Sequence, residues 1–460
     1  MAIGFMHHFE SSFHHSGAKS ARQIRQAVNS KPRRGLGLAI GFFALCAALR
    51  AETLTLDQAL SMAKARNGTL QAAVFNLKSA RSEVAGSLGS FLPTLTPVYR
   101  YDSTRTRFQT GTGGATGSGS GADDSFDITA GWRILDSGER LATLSSSRKS
   151  AESSEQSALN SLRQVLFQVH DRYLNALRAN ELLRVQLAQE KRASEILKAT
   201  EARVQVGDAP AKDILQARAD ALNARASVLQ AQSRERNAMA DLKAVIGWSV
   251  PSASPELQSV AAEAAPPADE TLEQAIQRGF QNRADLAAAR KRIDASRSNL
   301  RLTEIQSGVT WNLDLQFRKA FAPGVSERSA LAFEASMPLF DGFRSKERVR
   351  SQRFSLKAQE ANYEQDLLDA RAEIEAAYSE VRVNLERLAA SEAALKAAQE
   401  NYEAAIEAQR LGAGDVIAVL TAQISLVTAE SNAVEARYDW LISEIRLRLV
   451  TGEPLPGEEE

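Results

Sequence analysis

Hydrophobic residues recur along this chain with two different periods. From Leu54 to Gly89, and again from Asp136 to about Val206, they recur every three to four residues, which places them on one face of a helix. Between these stretches, residues 92–107 and 126–134 alternate apolar and polar side chains, as a strand with one polar face does. The pattern predicts a helix, two strands and a second helix of roughly seventy residues, on the order of 100 Å long.

The second helix is predicted to end at Gly207 and to be followed by a return helix. Glycine is common at helix ends, and Pro210 fits the first turn of the next helix. Leucines follow Ala221 and Val228 at a seven-residue interval, a period that imposes a left-handed supercoil. The return helix to Gly247 is too short to cover its partner, so we expect the helix before the strands to stack on its end.

The same series of elements occurs twice. Residues 136–247 align with residues 341–452 without insertion or deletion, so that Asp136 meets Asp341 and Gly207 meets Gly412. One added residue would rotate a packed apolar seam by about 100°. The duplicated unit is therefore predicted to be a pair of packed helices.

A looser match precedes the long helices. Residues 55–60 match residues 271–276, and Arg81 matches Arg297. The paired residues of this match are further apart in the sequence than those of the long helices. The change of separation places a difference in length between the two matches, in a surface loop.

Repeat 2 has the same order of elements as repeat 1. The pattern predicts a helix to about Gln306, strands Val309–Arg318 and Leu331–Leu339, a loop Lys319–Arg328 between them, and a long helix from Asp341. The corresponding loop of repeat 1, residues 109–121, is almost all Gly, Thr, Ser and Ala, and we predict that it is flexible and exposed.

The chain is thereby divided into five segments. These are a leader (1–51), repeat 1 (52–247), an irregular equatorial linker rich in proline (248–269), repeat 2 (270–452) and an acidic tail (453–460) that forms a second belt or a loose end. The leader has the features of an export signal, because basic residues from Lys31 precede a short apolar run and a small residue, Ala51. Translation is expected to begin near Val28, and Leu45 is large for a lipidation signal at Cys46.

Composition excludes several classes of function. Lys and Arg together number 56, as do Asp and Glu together, so the formal net charge is zero. A chain without net positive charge is not expected to bind nucleic acid. The one cysteine and four of the 5 histidines lie in the leader, so the mature chain lacks disulfides, zinc ligand sets and a Ser-His-Asp triad. We predict no catalytic residue, metal or cofactor, and a structural role for His170.

The strands indicate a membrane barrel. An apolar outward face with aromatic residues near the strand ends is what a bilayer-spanning strand needs, and we find no apolar helix of lipid-spanning length after the leader. The alternative is a sheet packed on the helices. Four strands cannot close a barrel, and an open edge in lipid leaves backbone groups unpaired, so several chains must assemble. The predicted lipid-facing residues are Tyr99, Tyr101, Phe126, Trp132, Trp311, Phe317 and Phe333.

These features resemble the TolC-like outer-membrane efflux proteins over the whole mature chain. The segments that carry the resemblance are residues 56–60, Trp132 to Gly138, Met337 to Gly342, and the turns Val206-Gly207-Asp208 and Leu411-Gly412-Ala413. The resemblance implies a mainly α fold with a membrane β-barrel. Three chains would form one twelve-stranded barrel in the outer membrane and a periplasmic α-helical tunnel that narrows at the two turns.

The resemblance also implies partners. Family members are conduits for drugs or secreted proteins, driven by an inner-membrane pump of the RND or ABC type. A periplasmic adaptor joins the channel to the pump by gripping the helical turns. The adaptor-docking residues would be Val206, Gly207, Asp208, Leu411, Gly412 and Ala413.

The gate of the tunnel is expected near the turns. The family places an aspartate six residues after the turn glycine, and Asp213 matches it. Repeat 2 departs from the family, because Ala418 and Thr421 stand where some members carry aspartates, and Asp415 is the closest acid. The alternative for Asp213 and Asp415 is a solvated helix start.

Two other classes of function compete with this interpretation. A non-conducting coiled-coil scaffold would need only the helical hairpins, and the four apolar-faced strands argue against it. An enzyme of the cell envelope would need a convergent set of His, Cys and acidic residues, which the mature sequence lacks. The sequence leaves drug efflux and protein secretion both open.

Overall fold

The computed structural model describes residues 53–109, 116–207, 209–248, 255–259, 270–322 and 324–458. The predicted leader and most of the predicted linker lie outside the described residues.

The elements follow one another in the same order in both repeats. In repeat 1 they are β1 (Thr53–Leu54), α1 (Leu56–Arg66), α2 (Gly68–Gly89), β2 (Thr94–Gln109), β3 (Thr116–Asp136), α3 (Glu139–Gln205) and α4 (Lys212–Ile246). Before repeat 2, within the predicted linker, lies β4 (Glu256–Leu257), and repeat 2 contains α5 (Leu272–Asn282), α6 (Ala284–Ser307), β5 (Thr310–Ala322), β6 (Ser326–Ser336), α7 (Arg344–Arg410) and α8 (Val416–Val450).

The helices of the two repeats have equal lengths. The long helices α3 and α7 each contain 67 residues, and the return helices α4 and α8 each contain 35. The first helices α1 and α5 each contain 11 residues. The prediction of two long helical hairpins of fixed length is therefore confirmed.

The predicted single helix before the strands is wrong in both repeats, because each contains two helices. The first break is at Asn67, whose backbone is extended and whose Oδ1 accepts hydrogen bonds from the amides of Thr69 and Leu70 at 3.0 and 3.2 Å. This is the capping contact that asparagine makes at a helix start. The second break is at Arg283, which also has extended backbone.

The strands reach further than predicted at the hairpin ends. Thr116 pairs with Gln109, so part of the predicted loop 109–121 belongs to the ladder, and the loop predicted in repeat 2 shortens to a few residues before Ser326. Small polar residues suggested a loop, but an antiparallel ladder needs only backbone groups. At its other end β6 stops at Ser336, because Pro338 has no N–H to continue the ladder.

The four long strands form one antiparallel sheet in the order β2-β3-β5-β6. The two repeats meet in its centre, where β3 pairs with β5. In the described chain β2 and β6 are the edge strands. A second, parallel pair joins β1 to β4.

Contacts divide the chain into two compact units, each built from both repeats. Among the described residues, those within 53–73, 159–283 and 368–458 form unit 1, and those within 74–158 and 284–367 form unit 2. The sheet and the adjoining helices belong to unit 2. The core of unit 1 includes the fully buried side chains of Leu60, Leu166, Tyr173, Leu242 and Ile246.

One tyrosine in each long helix anchors the chain segment that begins its repeat. The Tyr173 hydroxyl lies 2.8 Å from the carbonyl oxygens of both Leu54 and Gln258, and burial raises its pKa to about 12. The Tyr378 hydroxyl donates to the carbonyl of Glu270 at 2.9 Å. The two tyrosines occupy equivalent positions, so the duplication extends from sequence to hydrogen bonding.

The prediction that no helix after the leader has lipid-spanning length and composition is wrong for α8. Among the described residues, α8 is the one helix long and apolar enough to cross a membrane. Its apolar residues instead enter the core of unit 1, where Tyr438, Trp440 and Leu447 are buried. Burial against neighbouring helices accounts for this composition.

The C-terminal tail packs into unit 1 and is not a loose end. Leu455 and Glu458 are buried, and Glu458 accepts from the amide of Leu455 at 3.0 Å. Glu458 forms an ion pair with Arg163 at 3.1 Å, with only 12% of the arginine and 3% of the glutamate side chain exposed. His170 is buried beside the tail with its Nε2 3.2 Å from the Pro456 carbonyl oxygen, and burial lowers its pKa. The predicted structural role of His170 is confirmed.

We predict that Glu458→Ala lowers the free energy of unfolding by about 3 kcal/mol, because it leaves the Arg163 guanidinium buried without its counter-charge. Glu407→Ala is the matched control, since Glu407 pairs with Arg410 at the surface, where 52% and 72% of the side chains are exposed, and such pairs contribute little. Denaturant unfolding of both variants in detergent measures the difference. Equal midpoints would contradict a stabilising role for this ion pair.

Candidate functional site

The four-stranded sheet has one continuous apolar face. Tyr99 stands opposite Phe126 across β2 and β3, and Leu315 stands between Trp132 and Leu331 across β3, β5 and β6. Residues directly opposite each other share a face of the sheet. The alternation predicted from the sequence therefore places these side chains together.

The other face carries ion pairs between strands. Asp127 on β3 lies 3.2 Å from Arg318 on β5, and Arg133 lies 3.3 Å from Asp314. Both pairs join the two repeats. The sheet therefore has a charged side and a largely apolar side, and the apolar side carries one ion pair, between Lys319 and Glu327, at the hairpin end.

Most of the apolar face is uncovered by protein. The exposed aromatic residues on the sheet include Tyr99, Tyr101, Trp132, Trp311, Phe317 and Phe333. Phe126 is half-buried, with its ring centroid 5.7 Å from that of Phe321. Exposed apolar area of this extent indicates contact with lipid or with another protein surface. Contact of these seven residues with lipid stays a prediction.

An arginine that the sequence did not single out joins β3 to α3. The Arg140 side chain lies 2.6 Å from the Asp136 carboxylate, donates to the Arg133 carbonyl at 2.8 Å and stacks 4.7 Å from the Phe91 ring centre. The four-residue spacing of Asp136 and Arg140 was the available signal. Asp136 caps α3, because its Oδ2 accepts from the amide of Arg140 at 3.3 Å, and its Oδ1 accepts from the amide of Gly138 at 2.9 Å.

Asp136 and Glu139 do not form a capping box, although their three-residue spacing predicts one. Glu139 instead accepts from the side-chain amide of Gln306 at 2.6 Å. The two residues belong to different repeats, so a contact between helices replaces the local one.

The two helical turns have nearly the same geometry. Gly207 and Gly412 have φ values of +77° and +75°, and a Cβ built on either would meet no atom within 4 Å. Their neighbours Val206 and Leu411 are 80% and 71% exposed, and Ala413 is also exposed. Asp208 lies outside the described residues. The turns therefore present apolar side chains on a backbone that favours glycine.

The two acids predicted at the gate differ in their local roles. Asp415 caps α8, with its Oδ1 accepting from the amide of Ala418 at 2.9 Å. Asp213 lies in the first turn of α4, whose N-cap residue, Ala211, makes no side-chain capping hydrogen bond. Neither geometry tests a role in conduction, which stays a prediction.

A third acid, Asp220, was missed by the sequence interpretation. It lies on α4 one heptad after Asp213 and is half-buried, and its Oδ2 has no hydrogen-bond partner among the described residues. Burial raises the pKa of this carboxyl. The seven-residue spacing from Asp213 was the signal, since it places both acids on one face of the helix.

Comparison with known proteins gives the chain a family context. The family model described as outer membrane efflux protein matches residues 59–248 and 275–453, one segment in each repeat. Protein CyaE of Bordetella pertussis is 26% identical over 342 residues, which cover 72% of this chain and 70% of CyaE. Outer membrane efflux protein BepC of Brucella suis is 22% identical over 300 residues, 64% of each chain.

The fold is also that of a solved outer membrane channel. The structure of the Campylobacter jejuni CmeC outer membrane channel superposes with a TM-score of 0.76 at 16% identity. The match covers 87% of this chain and 86% of that chain.

We predict that Asp220→Asn stabilises the protein at neutral pH. Because the folded-state pKa is raised, the folded chain binds the proton more tightly than the unfolded chain, and stability falls as pH rises between the two pKa values. The gain should vanish below the ordinary aspartate pKa of about 3.9. Thermal unfolding at pH 7 and at acidic pH measures it. Asp241→Asn on the same helix controls for charge removal, and a gain independent of pH would contradict the prediction.

Proposed function

We propose that this chain, which belongs to the outer membrane efflux protein family and is an outer-membrane export channel, works as a homotrimer. It would conduct small molecules or secreted proteins passively from a large periplasmic part to the cell exterior. An inner-membrane pump would supply the energy through a periplasmic adaptor. No step of this function needs catalysis or a cofactor.

The proposed trimer is inferred from the incomplete sheet. Four strands with an exposed apolar face and two edge strands expose backbone donors and acceptors, which have no partner in lipid. Eight strands are the fewest known in a closed membrane barrel. Three copies supply twelve, and closed cyclic symmetry is the usual arrangement of homo-oligomers.

The helical turns are the proposed docking site for the adaptor. Val206 and Leu411 project into open space beside Gly207 and Gly412. Exposed apolar side chains at the same position of both turns are available for burial by a partner. The two equivalent turns would present similar surfaces to the adaptor. The adaptor would in turn connect the channel to the pump, which is of the RND or ABC type.

Asp213 and Asp415 are the proposed gate. Asp213 lies in the first turn of α4 and Asp415 is the N-cap of α8, so each lies at the start of the helix that follows a docking turn. Three copies of each would bring like charges together in a confined space, where they raise the local negative potential and attract cations. Capping by Asp415 is compatible with this role, because one carboxylate oxygen bonds the helix and the charge remains.

Planar-bilayer recording tests both the channel and its gate. We expect the purified protein to conduct ions and to prefer cations at low salt. Asp213→Asn and Asp415→Asn should each weaken that preference. Asparagine can still accept the hydrogen bond from Ala418, so the Asp415 change removes charge without removing the cap.

Two outcomes would contradict this proposal differently. A protein that forms no conducting pore would contradict the channel function. A conducting pore whose selectivity is unchanged in both variants would contradict the gate assignment alone.

We predict that Gly412→Val abolishes export while Gly412→Asn preserves it. Asparagine tolerates the left-handed conformation of the turn, whereas a β-branched residue there costs on the order of 1–3 kcal/mol. Because a Cβ at this position meets no neighbour, any effect comes from backbone strain. Export from cells and co-purification with the adaptor measure the result. Full adaptor binding by the Val variant would exclude a docking role for this turn.

A further inference from the structure

Two arginines stand directly opposite each other on the charged face of the sheet. Arg318 of β5 pairs with Arg328 of β6, and on its other side Arg318 stands opposite Thr129 of β3. Directly opposite residues of an antiparallel ladder share a face, and their Cβ atoms are about 5 Å apart. Like charges placed in this way destabilise a sheet. The pair of arginines therefore requires a counter-charge.

The protein supplies that counter-charge to only one of the two arginines. Asp127 is buried on the same face, and its Oδ1 lies 3.2 Å from Arg318. Its Oδ2 accepts from the Thr129 hydroxyl at 3.3 Å. Both carboxylate oxygens are thus engaged beside Arg318. In the described part of the chain, Arg328 has no hydrogen-bond or ion-pair partner.

The acid next to Arg328 in the sequence does not neutralise it. Successive side chains of a strand point to opposite faces of the sheet, so Glu327 lies on the apolar side. There Glu327 pairs with Lys319 of β5. The positive charge of Arg328 is therefore left uncompensated on the charged side.

The surroundings of Arg328 are open and uncharged. On β6 its neighbours on the same face are Ser326 and Ala330, and their partners on β5 are Ala320 and Gln316. Arg328 itself is exposed. An anion can therefore approach the guanidinium over β5 and β6 without meeting a carboxylate on these neighbouring residues.

An arginine elsewhere on this face provides a contrast. Arg133 of β3 stands directly opposite Asp314 of β5, and the two form an ion pair at 3.3 Å. There one arginine meets one carboxylate, whereas Arg318 and Arg328 share a single carboxylate with each other. The excess of positive charge is therefore a local feature of the second pair.

We propose that Arg318 and Arg328 form a binding site for multivalent oxyanions, such as phosphate or polyphosphate groups. The donors of a guanidinium lie in a planar fork that matches two oxygens of such an anion. Arg328 makes the direct contact, the Ser326 hydroxyl can donate a further hydrogen bond, and Arg318 adds charge while it keeps Asp127 as its partner.

The site takes its place in the pore from the proposed function, on which this part of the inference rests. Because the apolar side of the sheet is proposed to contact lipid, the charged side lines the pore of the proposed trimer. Each chain would then contribute two arginines and one carboxylate, Asp127, to the same level of the barrel. A phosphorylated lipid would approach the apolar side, so the ligand expected here is a dissolved anion.

Thermal unfolding of the full chain in detergent tests the site without requiring conduction. Tripolyphosphate should raise the unfolding midpoint, because a ligand that binds only the folded protein stabilises it. Arg328→Gln should remove most of this rise. Arg133→Gln is the matched control, since it removes the same charge from the same face, and it should retain the rise. Without tripolyphosphate, Arg328→Gln should not lower the midpoint, because it breaks no contact and relieves a like-charge pair.

Planar-bilayer recording in uncharged phospholipid tests whether the site lies in the pore. Tripolyphosphate should block the wild-type channel, and Arg328→Gln should raise the half-blocking concentration at least about tenfold, as expected for the loss of one charge-assisted hydrogen bond. Arg133→Gln should change that concentration much less.

The outcomes separate the site from the channel. A wild-type midpoint that does not respond to tripolyphosphate, or a response that the Arg328 and Arg133 variants share equally, would overturn the site. A response that depends on Arg328, in a channel that tripolyphosphate does not block, would overturn its place in the pore. Protein that forms no pore would contradict the proposed function, while the unfolding measurement would still decide whether the site binds anions.

Discussion

A packed helix pair cannot gain or lose a residue without rotating its apolar seam, and the rest of this structure depends on that constraint. The long helices of both repeats contain 67 residues and the return helices contain 35. This constraint on length does not apply to the strands, because an antiparallel ladder can be extended at its hairpin end by adding residues in pairs. Accordingly β3 contains 21 residues and its counterpart β6 contains 11.

Equal geometry has not preserved equal side-chain roles in the two repeats. At the start of the long helices, Asp136 and Asp341 both accept from the amide four residues on, at 3.3 and 2.8 Å, but that residue is Arg140 in repeat 1 and Ser345 in repeat 2. Among the described residues, only Asp136 therefore has an ion pair there. At the turns, Asp415 caps α8, whereas Ala211 makes no side-chain cap for α4. The backbone contacts and the capping boxes of the first helices are thus kept in both repeats, while side-chain contacts at the turns and at the start of the long helices have diverged.

The periodicity of apolar residues predicted those features of the fold that depend on a repeated local pattern. The long hairpins, the order of helices and strands and the apolar face of the sheet all follow from spacing along the chain. Spacing did not predict the helix break at Asn67, because a capping side chain competes with helix continuation without altering the apolar period. It also missed α8 as a core helix, since an apolar helix has the same composition whether protein or lipid surrounds it.

Residues distant in sequence were the hardest to assign. The Glu139–Gln306 contact displaced a local capping box, and the burial of Asp220 depends on neighbouring helices that no short motif specifies. The turn glycines were predictable because a positive φ selects for glycine within a few residues. Site residues can therefore be predicted from the sequence where neighbouring residues determine their geometry. They cannot be predicted where packing between distant segments determines it.

The buried tail joins parts of unit 1 that are far apart in the sequence. Glu458 and its partner Arg163 are 295 positions apart, and closing a loop of that length costs conformational entropy before the ion pair compensates for it. Residues 455–458 complete a core that otherwise consists largely of helices, because Leu455 is buried in the same cluster as Leu166 and Tyr173. Repeat 1 alone therefore lacks part of the packing around its own long helix. An insertion between Leu455 and Glu458 would accordingly disturb a buried contact, even though this segment belongs to no helix or strand.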